Sequence, residues 1–208
     1  MKPLLFFLIL LLVSGCAVHK NDVINDYLEL ELKQLEKRKK STDIIIIEEK
    51  ISNNMTLDIF KGQRFYDPKT GKYGRFDGVK EDLYTDKLWK VMNSEYMDIN
   101  FNYYYVNKDY WLRGDYWQKS DFKHKDVTLL KYDSLPKPDM YIPMKSEDNK
   151  EIYTFSDPIY YDNKKYIVFT VLKGDLLFRQ IMNPQTIIMK KEKGKWVPFS
   201  IAGFYIYN

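Results

Sequence analysis

The stretch KKYIVFTVL, residues 164–172, is the strongest secondary-structure signal in the chain. β-Branched and aromatic residues fill it, and such residues favour the pleated surface of a sheet. Two further strand patterns follow, TIIMKK at residues 186–191 and KWVPFSIAGFYIY at 195–207, and the tight polar turn EKG separates them. Successive strands joined by short polar tips are typical of an antiparallel meander, which can bury one face and leave the other in water.

Ahead of this meander the sequence predicts further strands. DIIIIEEKI (43–51) contains four consecutive isoleucines, and DVTLLKYD (126–133) and EIYTFS (151–156) are also typical of strands. MTLDIF (55–60) alternates, so we expect a strand that pairs with the first one through a turn at Ser52. FYDPKTGKYGRF (65–76) carries the proline and glycine of a hairpin tip.

Two segments have helical spacing. Residues 23–40 place Ile24, Leu28, Leu32 and Leu35 on one side, although LELEL within them also alternates as a strand would. Residues 85–93 predict a short helix capped by Thr85, with Leu88, Val91 and Met92 on one side. The predicted fold class is α+β: a single domain, residues 23–208, with an N-terminal helix at 23–40. A mainly antiparallel, curved β-sheet follows it and ends in the C-terminal meander.

The first fifteen residues predict a secretory signal peptide. Lys2 gives a positive start, residues 4–13 are apolar without interruption, and Ser14 and Gly15 are small. Ten apolar residues are too few for a transmembrane helix, which needs about 20.

The exit from this segment, Val13-Ser14-Gly15-Cys16, resembles the lipobox of bacterial lipoproteins. The resemblance covers the first seventeen residues and implies a lipid on the sulfur of Cys16, cleavage before it, and acylation of its new amine. Residues 16–22 would then be a lipidated tether. Ala17, where aspartate would favour retention at the inner membrane, implies the outer membrane. A thioether also explains why Cys16 is the only cysteine, since a free thiol in an oxidising compartment is a liability.

A second resemblance covers about fifty C-terminal residues. SDPIYY, KKYIVFTV and KGKWVPFSI are similar in order and spacing to the ends of many uncharacterised secreted bacterial proteins and lipoproteins. It implies a structural pattern and no activity.

The charge balance argues against a nucleic-acid partner. The chain has a net charge of +4, and only Lys2 of its 33 basic residues precedes Cys16, so the mature chain would carry about +3. A nucleic-acid-binding face requires a concentrated basic surface. The run KRKK, residues 37–40, is better interpreted as the solvated end of a helix, with contact to anionic lipid or sugar as the alternative.

Motifs for metal, cofactor or catalysis are weak. Asp121, His124 and Asp126 form D-x-x-H-x-D, but Lys123 and Lys125 flank the histidine, and the usual second histidine of a zinc site is not nearby. There is no G-x-S-x-G, Walker or G-x-G-x-x-G motif. We therefore predict no catalytic residue, no metal site and no cofactor, and expect a non-enzymatic role, with carboxylate-based hydrolysis left open.

The stretch FNYYYVNKDYWLRGDYW, residues 101–117, contains eight aromatic residues and is the best candidate for a binding surface. Aromatic rings stack on sugar faces and dominate many protein interfaces, although a tyrosine-rich core would use the same residues. The candidate contacts are Tyr104, Tyr110, Trp111, Arg113, Tyr116 and Trp117.

Together these features predict a membrane-anchored cell-envelope lipoprotein that binds an envelope protein or a glycan. Two alternatives remain. One is a carboxylate-dependent hydrolase acting on envelope polymers or glycans. The other is a scaffold or assembly factor that presents the N-terminal helix to a partner, in which case Ile24, Leu28 and Leu35 would be exposed.

Overall fold

The computed structural model describes residues 21–62, 64–67, 72–75, 78–79, 83–99, 112–135, 150–175, 180–181 and 184–203. The predicted signal peptide, the lipidation site Cys16 and the tether as far as residue 20 lie outside the described residues. So do Tyr104, Tyr110 and Trp111.

The described residues form three helices and twelve strands, and their class is α+β as predicted. The helices are α1 (Asn21–Lys37), α2 (Asn53–Lys61) and α3 (Asp86–Tyr96). The strands are β1 (Ile44–Ile47), β2 (Glu49–Ile51), β3 (Arg64–Asp67), β4 (Lys72–Arg75), β5 (Leu112–Tyr116), β6 (Val127–Leu130), β7 (Glu151–Phe155), β8 (Ile159–Tyr161), β9 (Tyr166–Asp175), β10 (Gln180–Ile181), β11 (Gln185–Glu192) and β12 (Lys195–Gly203).

The main sheet has the strand order β12-β11-β9-β7-β1-β6, and β8 and β10 also pair with β9. Pairing is antiparallel among the strands after residue 150, as the meander predicts. The sheet is nevertheless mixed, because β1 pairs in parallel with both β6 and β7. All four isoleucines of β1 are buried, and an unbroken apolar run is typical of a parallel strand that is covered on both faces.

The predicted strand 43–51 is interrupted at Glu48. Its second part, β2, pairs antiparallel with β5 in a separate two-stranded sheet, where Glu49 lies opposite Tyr116 and Ile51 opposite Leu112. The predicted hairpin at 65–76 is present as β3 and β4, which pair antiparallel.

Helix α1 confirms the N-terminal helix and ends three residues earlier than predicted. Its apolar side packs on the main sheet. Ile24 and Leu28 are at most 1% exposed and Leu35 is 4% exposed, within a cluster that includes Phe155 and Phe169. Burying this side stabilises the helix, because most helical stability in proteins comes from the packing of an apolar face.

The predicted strand at 55–60 is wrong, because this segment is α2. The side chain of Ser52 caps the helix by accepting a hydrogen bond from the backbone of Asn54 at 3.2 Å. Gly62, at φ 72°, ends it in the left-handed conformation that glycine adopts at low cost. Met55, Ile59 and their neighbours fit both a period of 2 and a helical face, so the caps decide between the two.

Helix α3 confirms the prediction for residues 85–93, including the cap by Thr85, whose hydroxyl accepts from the backbone of Leu88. Met92 is buried and Leu88 packs against the same cluster. Val91 is a correction, because it is 57% exposed and lies on the solvent side.

Candidate functional site

The predicted binding stretch enters the described structure at β5, and its members there have different environments. Tyr116 is 46% exposed, whereas Trp117 is 2% exposed. The indole nitrogen of Trp117 donates to the carbonyl of Phe155 at 3.3 Å, and its ring lies 5.7 Å from that of Phe122. Trp117 is therefore a core residue and does not offer its ring to a surface ligand.

Arg113 is at the centre of an ion-pair network. Its Nη1 lies 3.2 Å from Asp157 Oδ2 and 3.5 Å from Asp98 Oδ1, and its Nε lies 2.9 Å from Asp115 Oδ1. Lys50 completes the network at 3.0 Å from Asp157 and 3.5 Å from Asp115. Two cations and three carboxylates thus alternate, and each side chain is held by more than one partner.

The N-terminus of α2 holds Asp98 in place. The Ser52 hydroxyl and the Asn53 backbone N–H both donate to Asp98 Oδ2, at 2.8 and 3.0 Å. The Asn54 side chain accepts from the Asp98 backbone N–H and donates to its carbonyl oxygen. A carboxylate is stabilised at a helix N-terminus by free N–H groups and the helix dipole, so the network is tied to the fold through α2.

This network borders a cleft of about 420 Å³, which we call the Arg113 cleft. Its lining is mostly polar and brings together the start of α1, the start of α2, the end of α3, β5 and the turn between β7 and β8. The lining residues are Asn21, Asn53, Glu95, Tyr96, Met97, Asp98, Arg113, Asp157, Pro158 and Ile159.

Tyr96 supplies the aromatic ring of the cleft. Its partial burial and the neighbouring carboxylate of Glu95 raise the pKa of Tyr96 above its ordinary value. The phenol therefore keeps its proton and donates it in a hydrogen bond to Glu95.

The charged side chains beside the cleft are paired with one another. Asp98, Asp115 and Asp157 all face Arg113 or Lys50, so the cleft presents charges of both signs in fixed positions.

A metal site is also absent from the part of the chain that the structure describes, where no three His, Cys, Asp or Glu side chains are placed to hold an ion. The D-x-x-H-x-D motif contacts α1 instead. Asp121 accepts from the side chain of Asn21 at 2.8 Å, and His124 Nε2 lies 3.4 Å from the carbonyl of Asn25. The motif thus helps to dock the first turns of the helix.

Comparison with known proteins gives no relative: no family model, no curated protein and no solved structure matches this chain. None of the helices within the described ranges has the length and apolar character needed to cross a bilayer.

Sequence reasoning selected Arg113 but missed its partners. Lys50, Asp98 and Asp157 come from three separate segments, and only the folded chain brings them together. Asp157 lies in the turn SDPIYY, which the sequence marked as structural. The only local signal for the site was the unusual arginine within an aromatic stretch.

Proposed function

We propose that this chain is a lipid-anchored protein of the cell envelope, held by Cys16, whose folded domain binds a saccharide in the Arg113 cleft. Ala17 after the cysteine favours the outer membrane. The binding itself is non-enzymatic. The single observation that supports it is the Arg113 cleft, a concave polar site whose charged side chains are fixed by mutual contacts before any ligand arrives.

The size and chemistry of the cleft favour a saccharide. Its volume of about 420 Å³ lies within the range of small-ligand sites, roughly 300–1,000 Å³. Sugar hydroxyls both donate and accept hydrogen bonds, and the lining offers a donor in Arg113, acceptors in Asp98 and Asp157, and both in Asn53. The ring of Tyr96 adds a surface on which a sugar face can stack.

Calorimetric titration of the mature chain with envelope-derived mono- and oligosaccharides tests the binding. We expect Arg113→Lys to weaken binding at least about tenfold, because lysine keeps the charge but loses the planar fork that holds several oxygens. Tyr116→Ala is the matched control, since Tyr116 is on the same strand, half exposed and outside the cleft lining. Failure of every saccharide to bind, or equal affinity in Arg113→Lys, would contradict the proposal.

The anchor has its own test. Cells grown with labelled palmitate should transfer label to the native protein and not to Cys16→Ser. An unlabelled native protein would remove the anchor from the proposal and leave the saccharide site to be judged by titration alone.

A hydrolase remains the second candidate because of one distance. Asp98 and Asp157 flank the same Arg113 nitrogen at 3.5 and 3.2 Å, so their nearest oxygens are at most about 7 Å apart, which does not exceed the separation of glycosidase carboxylate pairs. Saccharide turnover that is lost in Asp157→Asn would establish it. The scaffold alternative has less support, because the apolar side of α1 is already buried against the sheet.

A further inference from the structure

The start of α1 is the part of the described fold nearest in sequence to the proposed anchor. Asn21 is five positions after Cys16, and an extended chain spans at most about 3.6 Å per residue. The tether is therefore no longer than about 18 Å. If Cys16 carries lipid, the surface around Asn21 lies close to the headgroups of the bilayer.

Contacts along α1 show which end of the main sheet lies beside the start of this helix. Tyr27 packs edge-on against Phe155 and Phe169, whereas Lys40, just beyond the helix, pairs with Glu151. Helix α1 therefore runs from the end of β7 towards its beginning. Because β7 and β9 are antiparallel, α1 starts at the end of the sheet where β9 starts.

Two hairpin tips project from that same end. The tip between β8 and β9 spans residues 162–165 and lies next to the pair Tyr161–Tyr166. The tip between β11 and β12 is Lys193-Gly194, and it lies just beyond Lys190, which is opposite Tyr166.

The second tip also contacts α1 directly. The backbone N–H of Trp196 donates to Asp26 at 2.8 Å, and Lys195 pairs with Glu29. Asp26 is in the first half of the helix and Glu29 is at its midpoint, so the tip lies nearer to the end of α1 that bears the tether than to the other end.

Lysines dominate these two tips. They are Lys164, Lys165, Lys190, Lys191, Lys193 and Lys195, against the acidic residues Asp162 and Glu192. Lys165, Lys190 and Lys195 are within salt-bridge distance of Asp162, Glu192 and Glu29, respectively. The other three are exposed and have no carboxylate partner among the residues that the structure describes.

Aromatic rings lie beside the lysines. Lys164 lies over the ring of Tyr160 at 5.5 Å and Lys191 over that of Trp196 at 5.9 Å. Phe199 is 48% exposed, and Lys190 lies 5.6 Å from its ring. Trp196 is itself buried, so its ring positions Lys191, whereas Phe199 is exposed beside Lys190 as aromatic side chains are at membrane–water interfaces.

We propose that the two lysine tips bind the anionic phospholipid headgroups of the membrane that holds Cys16. The proposal rests on the proposed lipid anchor for its geometry, and charge complementarity supports it independently. A lipid anchor holds the start of α1 within about two Debye lengths of the surface, and lysines that reach this range are attracted to anionic lipid. The same contact orients the Arg113 cleft, since Asn21 lines it.

The test uses the mature chain with Cys16→Ser, so that binding does not depend on acylation. Cosedimentation with phosphatidylcholine vesicles, with and without phosphatidylglycerol, measures the partition coefficient. We expect binding only with phosphatidylglycerol and a decrease with added salt. Lys164→Gln, Lys191→Gln and Lys193→Gln combined should lower the partition coefficient by roughly tenfold or more.

The matched control removes the same charge from the opposite end of α1. Lys37, Arg38 and Lys39 are exposed, and Lys37 is sixteen residues from Asn21, about 24 Å along the helix. Changing all three to glutamine should leave the partition coefficient within about twofold of the parent. Circular dichroism and thermal unfolding check that both triple variants fold.

Three outcomes would overturn the proposal: equal losses in the two triple variants, equal binding to vesicles without phosphatidylglycerol, or binding to soluble heparin but not to vesicles. The first would mean that net charge acts without orientation. The palmitate experiment is separate, so a protein that is labelled in cells but ignores anionic vesicles would keep its anchor and lose only this inference.

Discussion

The two faces of the main sheet are built differently, although both are buried. Alternate residues of β9 point to opposite faces: Phe169 and Val171 join the cluster under α1, whereas Thr170 lies among polar groups under α2. The α1 face is a continuous apolar and aromatic core. The α2 face also has apolar clusters, which include Leu57, Phe60 and Val168, but it contains in addition a chain of buried hydroxyls, whose members are Thr56, Ser156, Thr170 and Thr186.

These hydroxyls are connected from one element to the next. Thr170 Oγ1 lies 2.8 Å from Thr56 Oγ1 and 2.9 Å from Thr186 Oγ1, so it joins α2 to β9 and β11. Thr56 donates to Ser156 Oγ at 3.0 Å, and Ser156 donates to the carbonyl of Asp157. The chain of hydroxyls thus ends at Asp157, a residue of the Arg113 cleft.

The comparison indicates that the two faces of the sheet contribute differently to stability and to geometry. Apolar contacts on the α1 face are strong but not directional, so they supply stability. Hydrogen bonds on the α2 face add little net free energy but are costly to leave unmade, so they fix one arrangement of α2 against the sheet. That arrangement places Asn53 and the Asp98-binding end of α2 beside Asp157.

The largest expected effect on the free energy of unfolding comes from the α1 face. Phe169 is fully buried and contacts the rings of Tyr27 and Phe155. Phe169→Ala should lower the free energy of unfolding by about 3–5 kcal/mol, because it leaves a cavity as well as removing apolar contacts. Urea unfolding measures the change. Phe199→Ala is the control, since Phe199 is half exposed, and a loss there of similar size would contradict the distinction.

The α1 face was also the part of the fold that the sequence predicted well. The 3–4 residue spacing of Ile24, Leu28 and Leu35 predicted the helix and its buried side, and strands β7, β9 and β11 followed from β-branched and aromatic runs. Those signals are local, because each element's pattern reflects its own burial.

The α2 face and the Arg113 cleft were not predictable in the same way. The alternation of Met55, Leu57 and Ile59 predicts a strand where α2 lies, and Ser52, which caps the helix, fits a turn equally well. The parallel pairing of β1 depends on partners more than 80 residues away. Single threonines within apolar strands gave no sign that they meet one another across three elements.

The next largest effect is expected at alkaline pH, through two buried tyrosines of the α1 face. Burial, together with the neighbouring Glu31 carboxylate, raises the pKa of Tyr27 and of Tyr153 on the α1 face. The folded-state pKa thus exceeds the unfolded value of about 10. Below pH 10 both states are protonated and nothing is lost, whereas above it only the unfolded state releases protons, so stability falls as pH rises.

The expected loss is about 1.4 kcal/mol per pH unit for each buried tyrosine, hence roughly 2–3 kcal/mol between pH 10 and 11 for the two together. Urea unfolding across this range measures it, with tyrosinate absorbance as a check on ionisation. Tyr153→Phe should reduce the pH dependence by about one proton. An unaltered slope in Tyr153→Phe would contradict the role given to Tyr153.

The smallest effect, and the most informative for the α2 face, is expected from Thr170→Val. Valine keeps the shape of threonine, so the change removes a hydroxyl from between Thr56 and Thr186 without leaving a cavity. We expect a loss of roughly 1–2 kcal/mol in urea unfolding, since the Thr186 hydroxyl stays buried without that partner.

If the chain of hydroxyls fixes the arrangement of α2, Thr170→Val should also weaken ligand binding in the Arg113 cleft. Replacing Thr56, Thr170 and Thr186 together by valine then separates the effect on stability from the effect on the placement of α2. Removing the three threonine hydroxyls together should cost less stability than the sum of the three single changes. A triple variant that regains stability but still binds poorly would show that the hydroxyls serve geometry, whereas one that regains both would show that apolar packing alone is enough to place α2.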